Sequence, residues 1–230
     1  MTNVRFSIAL SICAAIAFAA TPSVDAGLVD SLCTPDGLIG GGDYAPPPDS
    51  DGYCVHWDIA QNNDGTWHYI YTFLDQDDRE LSPATSHFII QLSENIDPEE
   101  DLFNFSGDIE EDPEFGAFGP GSGNPGFPTG ESIFGMKINL AGDQLSVEFD
   151  STRQPMWGDF YAKGGSSSFA YNADLGVDVA NPNDYNGTPV DDAGAPLAKV
   201  LVPDTLVPEP GTLALLAAAA FLRRSRRRTA

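Results

Sequence analysis

Three histidines, His56, His68 and His87, are the first side chains here that could hold a metal or move protons. Either task needs them to converge, and the sequence around two of them allows a test. Tyr53, Val55, Trp57 and Ile59 alternate with Cys54, His56, Asp58 and Ala60, and residues 66–74 alternate in the same way. Such period-two patterning marks half-buried β-strands. Asn62-Asn63-Asp64-Gly65 lies between them and marks a hairpin. A two-residue loop, Asp64-Gly65, would set Trp57 opposite Thr72 and mix the apolar and polar faces. A three-residue loop, Asn63-Asp64-Gly65, sets Ile59 opposite Tyr69, Trp57 opposite Tyr71 and Val55 opposite Phe73. It also gives Gly65 the left-handed position that this loop needs. A one-residue slip would turn an aromatic face out to water, so the longer loop is expected. In that register His56 faces Thr72 and His68 faces Ala60, both on the outer face. They stand four strand positions apart, about 13 Å at ~3.3 Å per residue, too far for one ion to reach both. His87 belongs to a third strand, and no metal site is expected.

Other chemistry fares no better. Gly121-Ser122-Gly123 and Gly165-Ser166 lie in loops, without the strand–turn–helix setting of a nucleophile elbow. No glycine-rich phosphate loop precedes a helix, and no Cys/His spacing suits zinc. No catalytic residues are expected. The carboxylate runs Asp75, Asp77, Asp78 and Glu99, Glu100, Asp101 could attract Ca²⁺, yet neither has the glycine and distal glutamate of an EF-hand loop. Weak collective Ca²⁺ binding, without a bound cofactor, is the expectation. Trp67 at the hairpin tip and Trp157 beside Gly158 are candidate sugar-stacking residues, while Trp57 falls on the core face. Two alternatives follow. A carbohydrate-binding module would show a row of exposed aromatics; a secreted hydrolase would show two close carboxylates in a cleft.

The elements that would carry these residues read as all-β. Residues 86–93 form a third strand, and further strands follow at 133–140, 145–149, 157–163 and 167–172. Residues 175–180 and 197–202 are candidates for two more. Gly158 suggests a bulge or a close backbone approach. Residues 27–52, with Gly40-Gly41-Gly42 and Pro46-Pro47-Pro48, read as irregular, pinned at most by Cys33 and Cys54, a candidate disulfide. Residues 95–130 are long, acidic and rich in Gly and Pro: a surface loop with short local pairings, or a place where a partner binds. Seven or eight strands at this spacing predict an antiparallel β-sandwich.

Both ends look like targeting segments. Residues 1–26 carry Arg5, an apolar stretch at 6–20 and Val24-Asp25-Ala26, which predicts a signal peptide cut after Ala26. At the other end stand Val207-Pro208-Glu209-Pro210-Gly211, an apolar run at 212–222, and the basic cluster Arg223, Arg224, Arg226, Arg227 and Arg228. Five arginines are costly to translocate, so the tail reads as a stop-transfer signal behind a short hydrophobic helix. Eleven apolar residues span only ~16 Å as a helix, against a ~30 Å hydrocarbon core, and so make a weak anchor. Between the two ends, residues 27–206 form one domain with 5 basic and 32 acidic residues, a net charge near −27. Such a surface repels nucleic acid.

The order of parts in the last two dozen residues resembles the PEP-CTERM sorting signal of Gram-negative bacteria. The resemblance covers residues 207–230 alone. It implies that Pro208, Glu209 and Pro210 are recognised by exosortase, a membrane transpeptidase, after signal peptidase has acted at the other end. It further implies a transient inner-membrane stage, followed by release to the cell surface or extracellular matrix. The expectation is a non-enzymatic surface protein, with extracellular polysaccharide as a candidate partner.

Overall fold

A computed structural model describes residues 27–203, apart from 49, 122 and 142–145. The predicted signal peptide, the Pro-Glu-Pro motif, the apolar run and the arginines lie outside the described residues. Among the described residues there are thirteen strands and a single helical turn of α type, and no helix is long and apolar enough to cross a membrane. The chain is all-β and sandwich-like, but richer in strands than the seven or eight expected.

Two antiparallel sheets carry the architecture. The first has the order β1 (Leu28–Cys33), β3 (Cys54–Gln61), β4 (Trp67–Leu74), β9 (Ser146–Ser151), β6 (Leu102–Gly107). The second has the order β2 (Leu38–Gly41), β12 (Ser168–Asn172), β11 (Phe160–Gly164), β5 (Thr85–Gln91), β8 (Ile133–Asn139), β7 (Glu114–Phe118). A two-stranded ribbon, β10 (Pro155–Gly158) with β13 (Val200–Pro203), completes the fold. The inward residues of the two sheets meet in one core. Phe73 of the first sheet lies 4.9 Å from Phe88 and 6.3 Å from Phe160 of the second, ring centroid to centroid, and Tyr71 lies 5.9 Å from Phe88. Offset and tilted rings of this kind add to the burial energy of each aromatic.

The β3–β4 hairpin has the expected register. Val55 pairs with Phe73, Trp57 with Tyr71 and Ile59 with Tyr69. Asn62 N–H donates to Thr66 O at 2.8 Å, and Gly65 sits at φ +91°, where a side chain would strain the backbone.

Several expectations require correction. Residues 27–52 are not irregular throughout, since 28–33 and 38–41 form β1 and β2. Residues 95–130 hold β6, β7 and the one-turn helix α1 (Pro98–Asp101), capped by Asp97. Their later part also has a structural task. Phe127 packs 5.0 Å from Tyr161, and Tyr161 Oη donates to Pro125 O at 2.8 Å. This segment covers the outer face of the six-stranded sheet, where Ile89, Ile133 and Leu175 form a second small core. That explains the unbroken apolar run Phe88-Ile89-Ile90, which is buried on both faces. The strand expected at 157–163 is broken at Asp159 into β10 and β11, which belong to different sheets. Residues 175–180 form the end of a turn and irregular chain rather than a strand. The link from β8 to β9 crosses between the sheets.

Candidate functional site

The most unusual chemistry lies where β10, β11, β12 and β13 meet. The lone lysine in the run Leu197-Ala198-Lys199-Val200-Leu201 enters β13 with its side chain buried. Lys199 Nζ donates to Asp159 Oδ1 at 2.5 Å and to Asp174 O at 2.9 Å. The two side chains of this ion pair are only 2% and 7% exposed. Asp159 stands at the break between β10 and β11. Its Oδ1 also accepts from Asn172 Nδ2 at 2.9 Å, and its Oδ2 accepts from Gly176 N–H at 3.0 Å. Asn172, the last residue of β12, is fully buried. Its Oδ1 accepts from Phe160 N–H at 2.8 Å, and its Nδ2 donates a second bond to Ala198 O at 3.0 Å. These bonds fix the amide orientation, because the backbone N–H needs an acceptor and the carboxylate and carbonyl need donors.

Gly158 stands immediately before the chain break that places Asp159. A Cβ on Gly158 would lie 2.6 Å from Val202 Cγ2, so only glycine lets β10 pair closely with β13. The close approach expected at Gly158 is therefore present. Gln91 Oε1 accepts from Asp159 N–H at 2.9 Å and holds the break from the β5 side. Lys199 and Asp159 line a cleft of about 450 Å³ with Glu131, Asp178 and Trp157. Burying such a pair costs desolvation that only close contacts and further hydrogen bonds offset, and here the cluster supplies both. The arrangement brings an amine, a carboxylate and a carboxamide together at the floor of the cleft, each largely buried. Sequence reasoning missed all three residues. The signal available was Lys199 itself, one of only five basic residues in 27–206, set among apolar neighbours.

The histidines do not converge. His56 pairs across from Thr72, and its Nε2 lies 3.9 Å from Asp78. His68 pairs across from Ala60, with Nδ1 2.8 Å from Asp150 Oδ1 and Nε2 3.7 Å from Glu148 Oε2. Nε2 thus faces a carboxylate, not a hydroxyl or thiol that it could activate. Burial pushes Asp150 upward, but the bonds from Asn104, His68 and Asn62 outweigh it and lower its pKa. His87 is buried, with Nε2 3.1 Å from Asn124 Oδ1. Burial, then Lys137, pushes its pKa down to about 4. Among the described residues, no three His, Cys, Asp or Glu side chains gather as a metal would require.

In each carboxylate run one member is bonded into the structure. Asp75 accepts from Asp77 N–H, Arg79 N–H and Arg79 Nε at 2.8–2.9 Å, closing the turn after β4. Asp101 accepts from Arg153 Nε at 2.8 Å and from Thr152 Oγ1 at 2.5 Å. Asp159, the buried carboxylate of the cleft, is bonded through both oxygens, to Lys199 and Asn172 through Oδ1 and to Gly176 N–H through Oδ2.

The candidate stacking residues are not exposed. Trp67 is 3% exposed and meets Tyr185 edge-on, at 5.6 Å between ring centroids. Trp157 is 8% exposed, contacts Trp57 edge-on at 6.4 Å, and donates from Nε1 to Asp184 O at 3.0 Å. Residues 182–189 fold over both rings, which the hairpin pattern alone could not show. Cys33 and Cys54 form a disulfide that ties the end of β1 to the start of β3. Comparison with known protein families, with curated proteins and with solved structures gave no match to this chain.

Proposed function

We propose that this is an exported, non-enzymatic protein of the cell surface or extracellular matrix of a Gram-negative bacterium, sorted through its C-terminal tail. The observation that carries the reading is the order of parts in that tail. Val207-Pro208-Glu209-Pro210-Gly211 precedes the apolar run 212–222, and Arg223, Arg224, Arg226, Arg227 and Arg228 close it. The arginines hold the tail on the cytoplasmic side. The apolar run is too short for a firm anchor, which suits a temporary hold before exosortase cuts at the Pro-Glu-Pro motif. Signal peptidase acts after Ala26. A disulfide between Cys33 and Cys54 fits an oxidising destination outside the cytoplasm. The acidic surface keeps the domain soluble and collects divalent cations weakly.

The carbohydrate-binding alternative expected a row of exposed aromatics, and the burial of all three tryptophans counts against it. The test of the sorting reading is replacement of Pro208, Glu209 and Pro210 by alanine in the full chain. The variant is expected to accumulate in the inner membrane, as read by cell fractionation. Release at the unaltered rate would overturn the proposal.

A further inference from the structure

We propose that Lys199 and Asn172 become joined by an amide bond between their side chains, with Asp159 as the catalytic residue. The three parts such a reaction needs are already together. A nucleophile is present as Lys199 Nζ. An acyl group is present as the Asn172 carboxamide, polarised by the Phe160 N–H on its oxygen at 2.8 Å. A proton carrier is present as Asp159, whose Oδ1 holds both the attacking nitrogen at 2.5 Å and the departing nitrogen at 2.9 Å. One oxygen thus touches both nitrogens that must exchange protons, the geometry that general acid–base catalysis requires. All three side chains are buried, and Asn172, the acyl partner, is fully so, which limits attack by water on its carboxamide.

The step balances without any co-reactant. Lys199 gives one proton to Asp159 and attacks Asn172 Cγ as a neutral amine. The new Nζ–Cγ bond forms a tetrahedral adduct, whose oxyanion is held by the Phe160 N–H. A second proton passes from Nζ to Nδ2 through Asp159, the Cγ–Nδ2 bond breaks, and ammonia leaves. Asp159 ends as a neutral acid beside a neutral amide. A buried ion pair is thereby replaced by uncharged groups, which removes the desolvation cost of the charges. Asn172 is the acyl partner rather than Asp159, because an ionised carboxylate is a poor electrophile and its nitrogen-bearing neighbour is the polarised one.

The bond would close β12 onto the start of β13, the last strand described before the tail. Pulling on the C-terminal end would peel the short β10–β13 ladder and then meet a covalent stop at Lys199. This chemistry stands on the cluster alone and does not depend on the sorting reading.

The experiment is mass spectrometry of the folded, full-length protein after reduction and denaturation, followed by proteolysis. We expect the chain to be lighter by one ammonia, trypsin to leave the Lys199–Val200 bond uncut, and chymotryptic digestion to yield a branched peptide joining Asn172 to Lys199. Asp159→Asn, checked for native circular dichroism, should restore the full mass and trypsin cleavage at Lys199. A full-mass wild-type chain cut normally at Lys199 overturns the proposal. Loss of water with a Lys199–Asp159 branch overturns the choice of Asn172. A branch that persists in Asp159→Asn overturns the role given to Asp159.

Discussion

In the β3–β4 hairpin the most distant cross-strand partners are Cys54 and Leu74, and one three-residue loop sets every pair between them. The Lys199 cluster draws the side chains of Gln91, Asp159, Asn172 and Lys199, with backbone groups of Gly176 and Ala198, and no two of those side chains are near neighbours in sequence. The hairpin is redundant, because each apolar pair repeats the same instruction about which face turns inward. The cluster has no such redundancy. Removing one member leaves buried donors or acceptors on the others without partners, each at the full cost of desolvation. A stretch of repeated apolar contacts should therefore absorb single changes that the polar cluster cannot.

The sharpest contrast should come from Asp159→Ala. Compared with a parent chain in which Lys199 and Asn172 are not joined, it strands the Lys199 ammonium and the Gly176 N–H in the interior, and we expect a loss of about 3–5 kcal/mol in urea unfolding. Replacing Lys199 by Met in the same chain should recover part of that loss; no recovery would mean that charge is not what the cluster balances.

A second buried polar group gives a pH-dependent version of the same test. The His87 imidazole, normally near 6.5, is pushed down to about 4 by burial first and then by Lys137 and Lys163, against the Asn124 bond and Glu114. The unfolded chain therefore binds a proton that the folded chain refuses. Its contribution is fully present above pH 6.5 and is lost as pH falls toward 4, a change on the order of 3 kcal/mol. Unfolding curves at pH 7 and pH 4.5 should show this excess acid sensitivity in the parent and not in His87→Gln. Equal sensitivity in both would assign the effect elsewhere.

On the hairpin side the effects should be smaller. Gly65→Ala forces a side chain to φ +91°, with no atom within 4 Å of the new Cβ. The cost is therefore backbone strain alone, about 1–2 kcal/mol, readable as a lower urea midpoint with unchanged slope. Thr72→Val, on the outer face opposite His56, should stay within about 0.5 kcal/mol of the parent. A loss as large as that of Asp159→Ala would break the contrast between the two regions.

What the sequence conveyed follows a single rule in this fold. The inner strands β3, β4, β5, β8, β9 and β12 carry alternating or continuous apolar residues and were legible, while β11 was legible only as part of a longer strand with β10. The four strands that were not, β1, β2, β6 and β7, are the four edges of the two large sheets. Edge strands bury little, as Asp30, Ser31, Glu114 and Gly116 illustrate, and polar or glycine residues there guard against pairing with other chains. Their strand state is imposed by the ladder of an inner neighbour, so little of it is written in their own pattern. The candidate site was not legible for a related reason. Its chemistry belongs to Asp159, Asn172 and Lys199 jointly, and each alone resembles an ordinary loop or strand-end residue.

By itself the sequence determined the all-β class, the hairpin register with its three-residue loop, and the separation of His56 from His68. These follow from side-chain periodicity and local turn chemistry, which act over a few residues. Tertiary structure alone decided that Trp67 and Trp157 are covered by residues 182–189, and that residues 124–127 roof the six-stranded sheet. It also decided that β10 and β11 part company at Asp159. Those outcomes depend on which surfaces meet, and burial of one segment by another distant in sequence leaves no periodic trace in either.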